Sequence, residues 1–381
     1  MRVVIVTESF PPDVNGVAHC AWQTARHLLL RGHEPLVVAP AAPQGTDGPD
    51  AGAGGSGPCR VVRVPSVPMP GYRQIRVALP SRRPAAVLAA HRPDIVHLAS
   101  PFVLGARAMT AAARLAVPVV AVYQTDLGGY ARTYLGMGEG YAWHRIRTIH
   151  RAADRTLAPS AAAARDLAAH GVPRVRLWPR GVDSERFHPA RRDVDLRRAL
   201  APGGELIVGY VGRLAPEKHV ELLAPLCALP NIRVVVAGDG PHAGRLRALL
   251  PGARFLGTRT GDELARIFAS LDVFVHPGPQ ETFCQTLQEA QASGVPVVAP
   301  AAGGPVDLVD HARTGLLVRP YDGEALRDAV LTLEAGRRTR AAYGRAGRAA
   351  VRGRTWEAVG DLLLEHYGEV LARRAGHGVP A

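Results

Sequence analysis

Two stretches of the sequence carry side chains whose types and spacing suit a phosphorylated ligand. The first is Gly209-Tyr210-Val211-Gly212-Arg213-Leu214-Ala215-Pro216-Glu217-Lys218, which runs from a predicted strand into a helical pattern. Lys218 is the only lysine among 46 basic residues. Arginine supplies positive charge everywhere else, so this position keeps a compact, flexible point charge. With Arg213 five residues earlier, it is placed to clamp a diphosphate and stabilise it as a leaving group. A solvated surface lysine is the plainer alternative; the strand-end placement favours function.

The second stretch is His276-Pro277-Gly278-Pro279-Gln280-Glu281-Thr282-Phe283-Cys284-Gln285-Thr286-Leu287-Gln288-Glu289. Glu281 ends a predicted strand and Glu289 falls eight residues on, in the next helix. At about 100° per residue the two carboxylates lie within about 80° of one helical face and about 12 Å apart along its axis. That is too far for a carboxylate pair flanking one bond. It suits one acid at a sugar and the other at the ribose of one extended donor. The helix N-terminus at 282–285 would offer N–H groups to sugar and phosphate. A plain helix-start acid and a solvated helix face are the alternatives for the two glutamates.

Near the N-terminus, a predicted strand feeds Thr7-Glu8-Ser9-Phe10-Pro11-Pro12-Asp13-Val14-Asn15-Gly16-Val17 and then a helix. The loop has no GxGxxG pattern, so a dinucleotide cofactor is not expected. Gly16 at the helix entrance would still let backbone N–H groups approach a phosphate. Asn15 is one of only two asparagines, and an ordinary strand–helix connection explains it as well.

These residues need strands to carry them. Apolar runs at 3–7, 35–39, 61–64, 94–98, 118–123, 155–158 and 175–178 alternate with helical patterns at 17–31, 104–115, 141–153 and 160–170. A second series follows, with strands at 206–210, 232–237, 254–256, 273–276, 296–299 and 316–318, and helices at 217–228, 241–250, 261–270, 282–293 and 322–335. Continuous apolar runs alternating with helices predict parallel strands covered on both faces. The chain is therefore read as α/β, with two Rossmann-like doubly wound domains at 1–182 and 203–355 and a linker at 183–202. A helix over 356–381 has Val359, Leu362, Leu363, Tyr367 and Val370 on its apolar face. The Gly/Pro-rich segment 44–58 is read as a loop.

The 381 residues suffice for two cores. The start, Met1 to Val6, lacks the apolar core and cleavage site of a signal peptide and reads as a buried strand. Four dispersed cysteines point to reduced thiols in a cytoplasm and away from a metal cluster. The net charge of +13 is concentrated in residues 1–182, which hold 21 arginines against 10 acidic residues. This favours an anionic partner, including a possible peripheral contact with an anionic membrane at its inner face, unless the charges are simply solvated. Nucleic acid is disfavoured, because no aromatic/basic stripe, zinc pattern or helix-turn-helix is present.

The stretches Gly212-Arg213…Glu217-Lys218, Ala237-Gly238-Asp239-Gly240-Pro241, Glu281-x7-Glu289 and Gly294-Val295-Pro296-Val297-Val298-Ala299 together resemble retaining glycosyltransferase family 4. Pro12 to Gly16 and Arg180-Gly181-Val182-Asp183 fit the same family. Tyr123-Gln124-Thr125-Asp126, Glu281-Thr282-Phe283-Cys284-Gln285 and Gly303-Gly304-Pro305 resemble its actinobacterial GDP-mannose-dependent α-mannosyltransferases. The resemblance implies a GT-B architecture: two domains facing a central cleft, with the last helix crossing back to the first. It implies a nucleotide-sugar donor as co-substrate and no cofactor or metal. Arg213, Lys218 and Gly212 would meet the diphosphate, with Asn15 and Gly16 approaching from the first domain. Glu281 would hold sugar hydroxyls, helped by backbone at Phe283, Cys284 and Gln285. Glu289 would bind ribose, and Gly257, Thr258 and Arg259 would border the base.

One departure is Gln124, where many relatives place a histidine. Glutamine takes up no proton near neutrality, so Gln124 would only orient groups. Either the departing phosphate oxygen or Asp126 would then accept the acceptor proton. Arg63, Tyr72, Arg73 and Arg76 are candidate contacts to a hydroxyl acceptor of anionic, polyol or lipid-linked character. A UDP-sugar transferase and a GT-B-like nucleotide-sugar epimerase are the competing readings.

Overall fold

The computed structural model describes residues 1–41, 59–69, 72–99, 101–125 and 139–376, with only the backbone for residues 69, 72–75 and 139. Two compact units divide the chain: Met1–Pro179 together with the segment from Trp356 onward, and Arg180–Thr355.

The first unit contains β1 (Arg2–Val6), α1 (Gly16–Leu30), β2 (Glu34–Pro40), β3 (Arg60–Val64), β4 (Ser66–Met69), β5 (Tyr72–Ala78), α2 (Arg83–His91), β6 (Ile95–Leu98), α3 (Val103–Arg114), β7 (Val119–Val122), α4 (Glu139–Ala152), β8 (Arg155–Ala158), α5 (Ala161–Ala169) and β9 (Val175–Leu177). Seven parallel strands form one sheet in the order β3-β2-β1-β6-β7-β8-β9. Successive side chains of β1 serve opposite faces: Val3 and Ile5 join one apolar cluster, Val4 and Val6 the other. That is why the strand reads as a continuous apolar run. β4 and β5 form an antiparallel hairpin that the sequence analysis did not include among its strands.

The second unit continues with α6 (Val194–Leu200), β10 (Leu206–Val211), α7 (Ala224–Cys227), β11 (Ile232–Ala237), α8 (Ala243–Leu249), β12 (Arg254–Gly257), α9 (Gly261–Ser270), β13 (Val273–Val275), α10 (Gln285–Ala292), β14 (Val297–Pro300), α11 (Pro305–Leu308), β15 (Gly315–Val318), α12 (Gly323–Ala335) and α13 (Arg337–Val351). Its six-stranded parallel sheet has the order β12-β11-β10-β13-β14-β15. The segment read as a linker, 183–202, is structured: Asp193 caps α6, and Arg192 and Arg197 pair with Asp272 at 2.8 and 3.0 Å.

Two helical expectations change. Over 217–228 the chain forms 3-10 turns and the short α7, because His219 turns left-handed at φ 48°. α13 has no counterpart in the sequence reading. Its buried face is made largely of Gly344 and Gly347, and a Cβ on Gly344 would overlap the Gly294 carbonyl. Close packing through glycines leaves no apolar stripe to read.

The final helix, α14 (Trp356–Gly376), belongs to the first unit. Val359, Leu363, Tyr367 and Val370 are buried and join the cluster containing Val3 and Ile5. Trp178 Nε1 donates to the Val359 carbonyl at 2.9 Å, and the Tyr367 hydroxyl meets His97 Nδ1 at 2.8 Å. The fully buried Arg155 pairs with Glu369 at 2.7 Å.

Candidate functional site

In an open parallel sheet the ligand crevice lies beyond the C-terminal ends of strands, where strand order reverses. In the second unit this point falls between β10 and β13. The loop after β10 carries Arg213 and Lys218; the loop after β13 carries His276 and Glu281.

The backbone holds these loops closely. Gly212 N–H donates to the Ala237 carbonyl at 3.0 Å and Leu214 N–H to Asp239 at 2.9 Å. A Cβ on Gly238 would overlap the Gly212 carbonyl, so the loops after β10 and β11 stack backbone on backbone. A Cβ on Gly278 would lie 3.0 Å from Lys218 Cα, which brings the loop after β13 equally close. The Glu281 carbonyl accepts from Gly304 N–H at 2.7 Å, fixing the glutamate from the third side.

The charged groups meet there. Lys218 Nζ donates to Glu281 Oε1 at 2.5 Å, and His276 Nε2 stands 3.1 Å from the same oxygen. Arg213 pairs with the buried Glu217 at 2.8 Å. The Tyr210 hydroxyl donates to the Arg213 carbonyl at 2.8 Å, and its ring stacks with His276 at 6.1 Å between centroids. Burial by itself would raise the pKa of Glu281; the Lys218 ammonium and His276 outweigh it and hold the carboxylate well below its usual range. Burial would lower His276, but Cys284 and Glu281 beside it push its pKa up to about 10. The site is thus a half-buried carboxylate held between two cations.

α10 begins beyond this cluster. Phe283 and Cys284 are buried, and Cys284 occupies the N-cap at φ 78°. Glu281 therefore precedes the helix, and the common helical face inferred for Glu281 and Glu289 does not exist. Gln285 Nε2 donates to the Gly181 carbonyl at 3.0 Å and Gln288 Nε2 to Arg180 at 3.1 Å, anchoring α10 to the 180–183 strip. Burial raises the Glu289 carboxyl to about 8; a bond from Gln285 opposes this and the Asp183 charge adds to it. Gly257 (φ 71°) ends β12, followed by exposed Thr258 and by Arg259, which pairs with Glu263 at 3.2 Å.

The other candidates lie in the first unit. Asn15 caps α1, accepting from Val17 and Ala18 N–H at 3.0 and 2.9 Å. A Cβ on Gly16 would meet nothing within 4 Å, so packing does not demand glycine there. Gln124 is buried just past β7. Arg63 bonds the Pro40 and Pro11 carbonyls, and Arg76 bonds the Ser66 hydroxyl and carbonyl at 2.8 Å each. Both thus brace their own unit. Asp126 and the side chains of Tyr72 and Arg73 lie outside the described residues.

Three participants carried no assigned role in the sequence reading. His276 and Glu217 stood inside the quoted motifs, and a histidine closing a strand before Pro-Gly-Pro was the available signal. Glu8 accepts from the N–H groups of Phe102, Leu104 and Gly105 at 3.3, 2.6 and 3.2 Å, joining the end of β1 to the start of α3. Burial raises its pKa to about 7 against these bonds. No local pattern marks it, because its partners are more than ninety residues away.

Comparison with known proteins identifies the family and the fold. Residues 14–186 match the family model described as Glycosyltransferase Family 4, and residues 192–350 match Glycosyl transferases group 1. A GDP-mannose-dependent alpha-mannosyltransferase of Mycolicibacterium smegmatis is 50% identical over 98% of this chain and 99% of its own. One of the same description from Corynebacterium glutamicum is 44% identical over 98% and 90%. The crystal structure of Anabaena HepE in complex with UDP superposes with a TM-score of 0.78 over 97% of this chain and all of its own, at 20% identity. Two Rossmann-like units with a returning C-terminal helix define a glycosyltransferase of GT-B architecture. The chain belongs to glycosyltransferase family 4. Among the described residues, no helix is long and apolar enough to cross a membrane.

Proposed function

We propose that this enzyme transfers an α-mannosyl group from GDP-mannose, with retention, to a hydroxyl of a lipid-linked, polyol or sugar acceptor. The observation that carries the reading is the Lys218–Glu281 pair at the sheet's switch point, in a chain half identical to GDP-mannose-dependent relatives. Without donor, Glu217 and Glu281 neutralise Arg213 and Lys218. A bound diphosphate takes over both cations as its charge grows on departure. Glu281, freed of part of its bond to Lys218, accepts from sugar hydroxyls, and Glu289 accepts from ribose. The departing phosphate oxygen takes the acceptor proton, while Gln124 orients groups without titrating.

The test is a donor panel of GDP-mannose, UDP-glucose, UDP-N-acetylglucosamine and UDP-galactose. Thermal stabilisation and slow donor hydrolysis are measured without added metal, on wild type and Lys218→Ala. We expect stabilisation by GDP-mannose alone, lost in the variant. A shift with a UDP-sugar instead replaces the donor; no shift with any sinks the catalytic reading.

A further inference from the structure

We infer that His276, Glu281 and Cys284 form a site for a thiophilic divalent cation such as Zn²⁺, and that its occupation shuts off donor binding. One ring nitrogen, one carboxylate oxygen and Sγ of these residues lie within 4.8 Å of one another. The three come from separate constraints: the end of β13, the loop pinned by Gly304, and the N-cap of α10. His276 is 2% exposed, and neither ring nitrogen makes a hydrogen bond of good geometry, although Nε2 stands close to Glu281. The buried imidazole thus depends on the carboxylate and the thiol beside it for its polar contacts, the two groups that would share a cation with it. Cys284 adds a second observation: at φ 78° it occupies backbone that favours glycine, yet it presents a thiol into the cluster.

The donor set indicates the class of ion. Nitrogen, sulfur and a single carboxylate oxygen suit Zn²⁺ or Co²⁺ in a three-ligand site with an open fourth position. Mg²⁺ and Ca²⁺ prefer oxygen ligands. Binding is written as an exchange: the cation takes up imidazole nitrogen, thiolate sulfur and carboxylate oxygen. The thiol proton and any imidazolium proton pass to solvent, and the Lys218 ammonium gives up its bond to Glu281. No electron moves. The regulatory consequence rests on the donor reading above: the cation engages Glu281 and displaces Lys218, so it competes with the nucleotide-sugar.

The experiment is a Co²⁺ titration of the metal-stripped 381-residue chain, read as the near-ultraviolet sulfur-to-cobalt charge-transfer band with visible bands of a four-coordinate ion. We expect one equivalent bound in wild type, and loss of the charge-transfer band in both Cys284→Ser and His276→Gln, although Cys20, Cys59 and Cys227 remain. Absence of the band in wild type, or its survival in Cys284→Ser, overturns the site. GDP-mannose, added to the cobalt form, should bleach the band; a band unmoved by a nucleotide-sugar that stabilises the metal-free protein overturns the competition. If the band is present and none of the panel donors stabilises the metal-free protein, the donor reading fails while the cation site stands.

Discussion

Lys218 and Glu281 are 63 residues apart in sequence and 2.5 Å apart at Nζ and Oε1. They meet because β10 and β13 are neighbours in the sheet, with β11 and β12 lying on the other side of β10. The reversal of strand order opens a crevice and brings a cation from one loop to a carboxylate from the other.

Replacing Lys218 by alanine removes the ammonium and leaves the half-buried Glu281 with His276 alone. Loss of one preorganised charge stabiliser costs about 10² to 10³ in rate, and we expect a fall of that order in kcat/KM for donor turnover. Lys218→Arg should not restore it, since a planar guanidinium cannot occupy the space of a compact ammonium. Steady-state kinetics with melting temperatures as control decide this; full activity in the alanine variant removes Lys218 from the clamp.

Glu289 offers a proton count. With its pKa raised to about 8, the carboxyl is mostly protonated at pH 7, and accepting two ribose hydroxyls favours the anion. Donor binding at pH 7 should therefore release close to one proton. Calorimetry in two buffers of different ionisation enthalpy measures it, and the signal should vanish in Glu289→Gln.

The same group sets a pH dependence of stability. An acid whose folded pKa lies above its unfolded value is protonated in the fold when the unfolded chain has already ionised. Stability is therefore lost as pH rises between about 4.5 and 8, and the loss is complete above the folded pKa. Each pKa unit corresponds to about 1.4 kcal/mol; for a partly exposed side chain we expect Glu289→Gln to gain about 2 kcal/mol over wild type at pH 8.5 and little at pH 4.5. Thermal melts at both values test the sign.

Gly344 probes the helix the sequence concealed. An alanine there must push α13 off the Gly294 carbonyl, and overpacking of this kind costs about 1 to 3 kcal/mol. Denaturant unfolding of Gly344→Ala should show the loss; an unchanged midpoint would mean the helix shifts freely.

Deletion from Trp356 onward removes the face carrying Val359, Leu363, Tyr367 and Val370 and strips Arg155 of its Glu369 partner. The cost is chiefly the sheet face returned to water, about 1.5 to 3 kcal/mol for each large apolar side chain uncovered. The truncated chain should be recovered insoluble or bind a hydrophobic dye; a soluble chain with cooperative unfolding of the first unit would falsify the role given to α14.

The amino-acid sequence by itself determined the alternation of buried parallel strands with helices, since burial on both faces writes continuous apolar runs that need no knowledge of neighbours. It also marked Arg213, Lys218, Glu281 and Glu289 as candidates, because one lysine among arginines and two acids at a fixed spacing are local facts. Tertiary structure alone decided the partners. It placed His276 and Cys284 around Glu281, gave Arg213 to Glu217, moved the start of α10 past Glu281, set Glu8 on α3, and buried α13 through glycines. Those outcomes depend on strand order and on close backbone approach, and neither leaves a periodic signature in the chain. A hydrophobic pattern reports which side of an element is covered, whereas the identity of what covers it is settled only when the sheet is assembled.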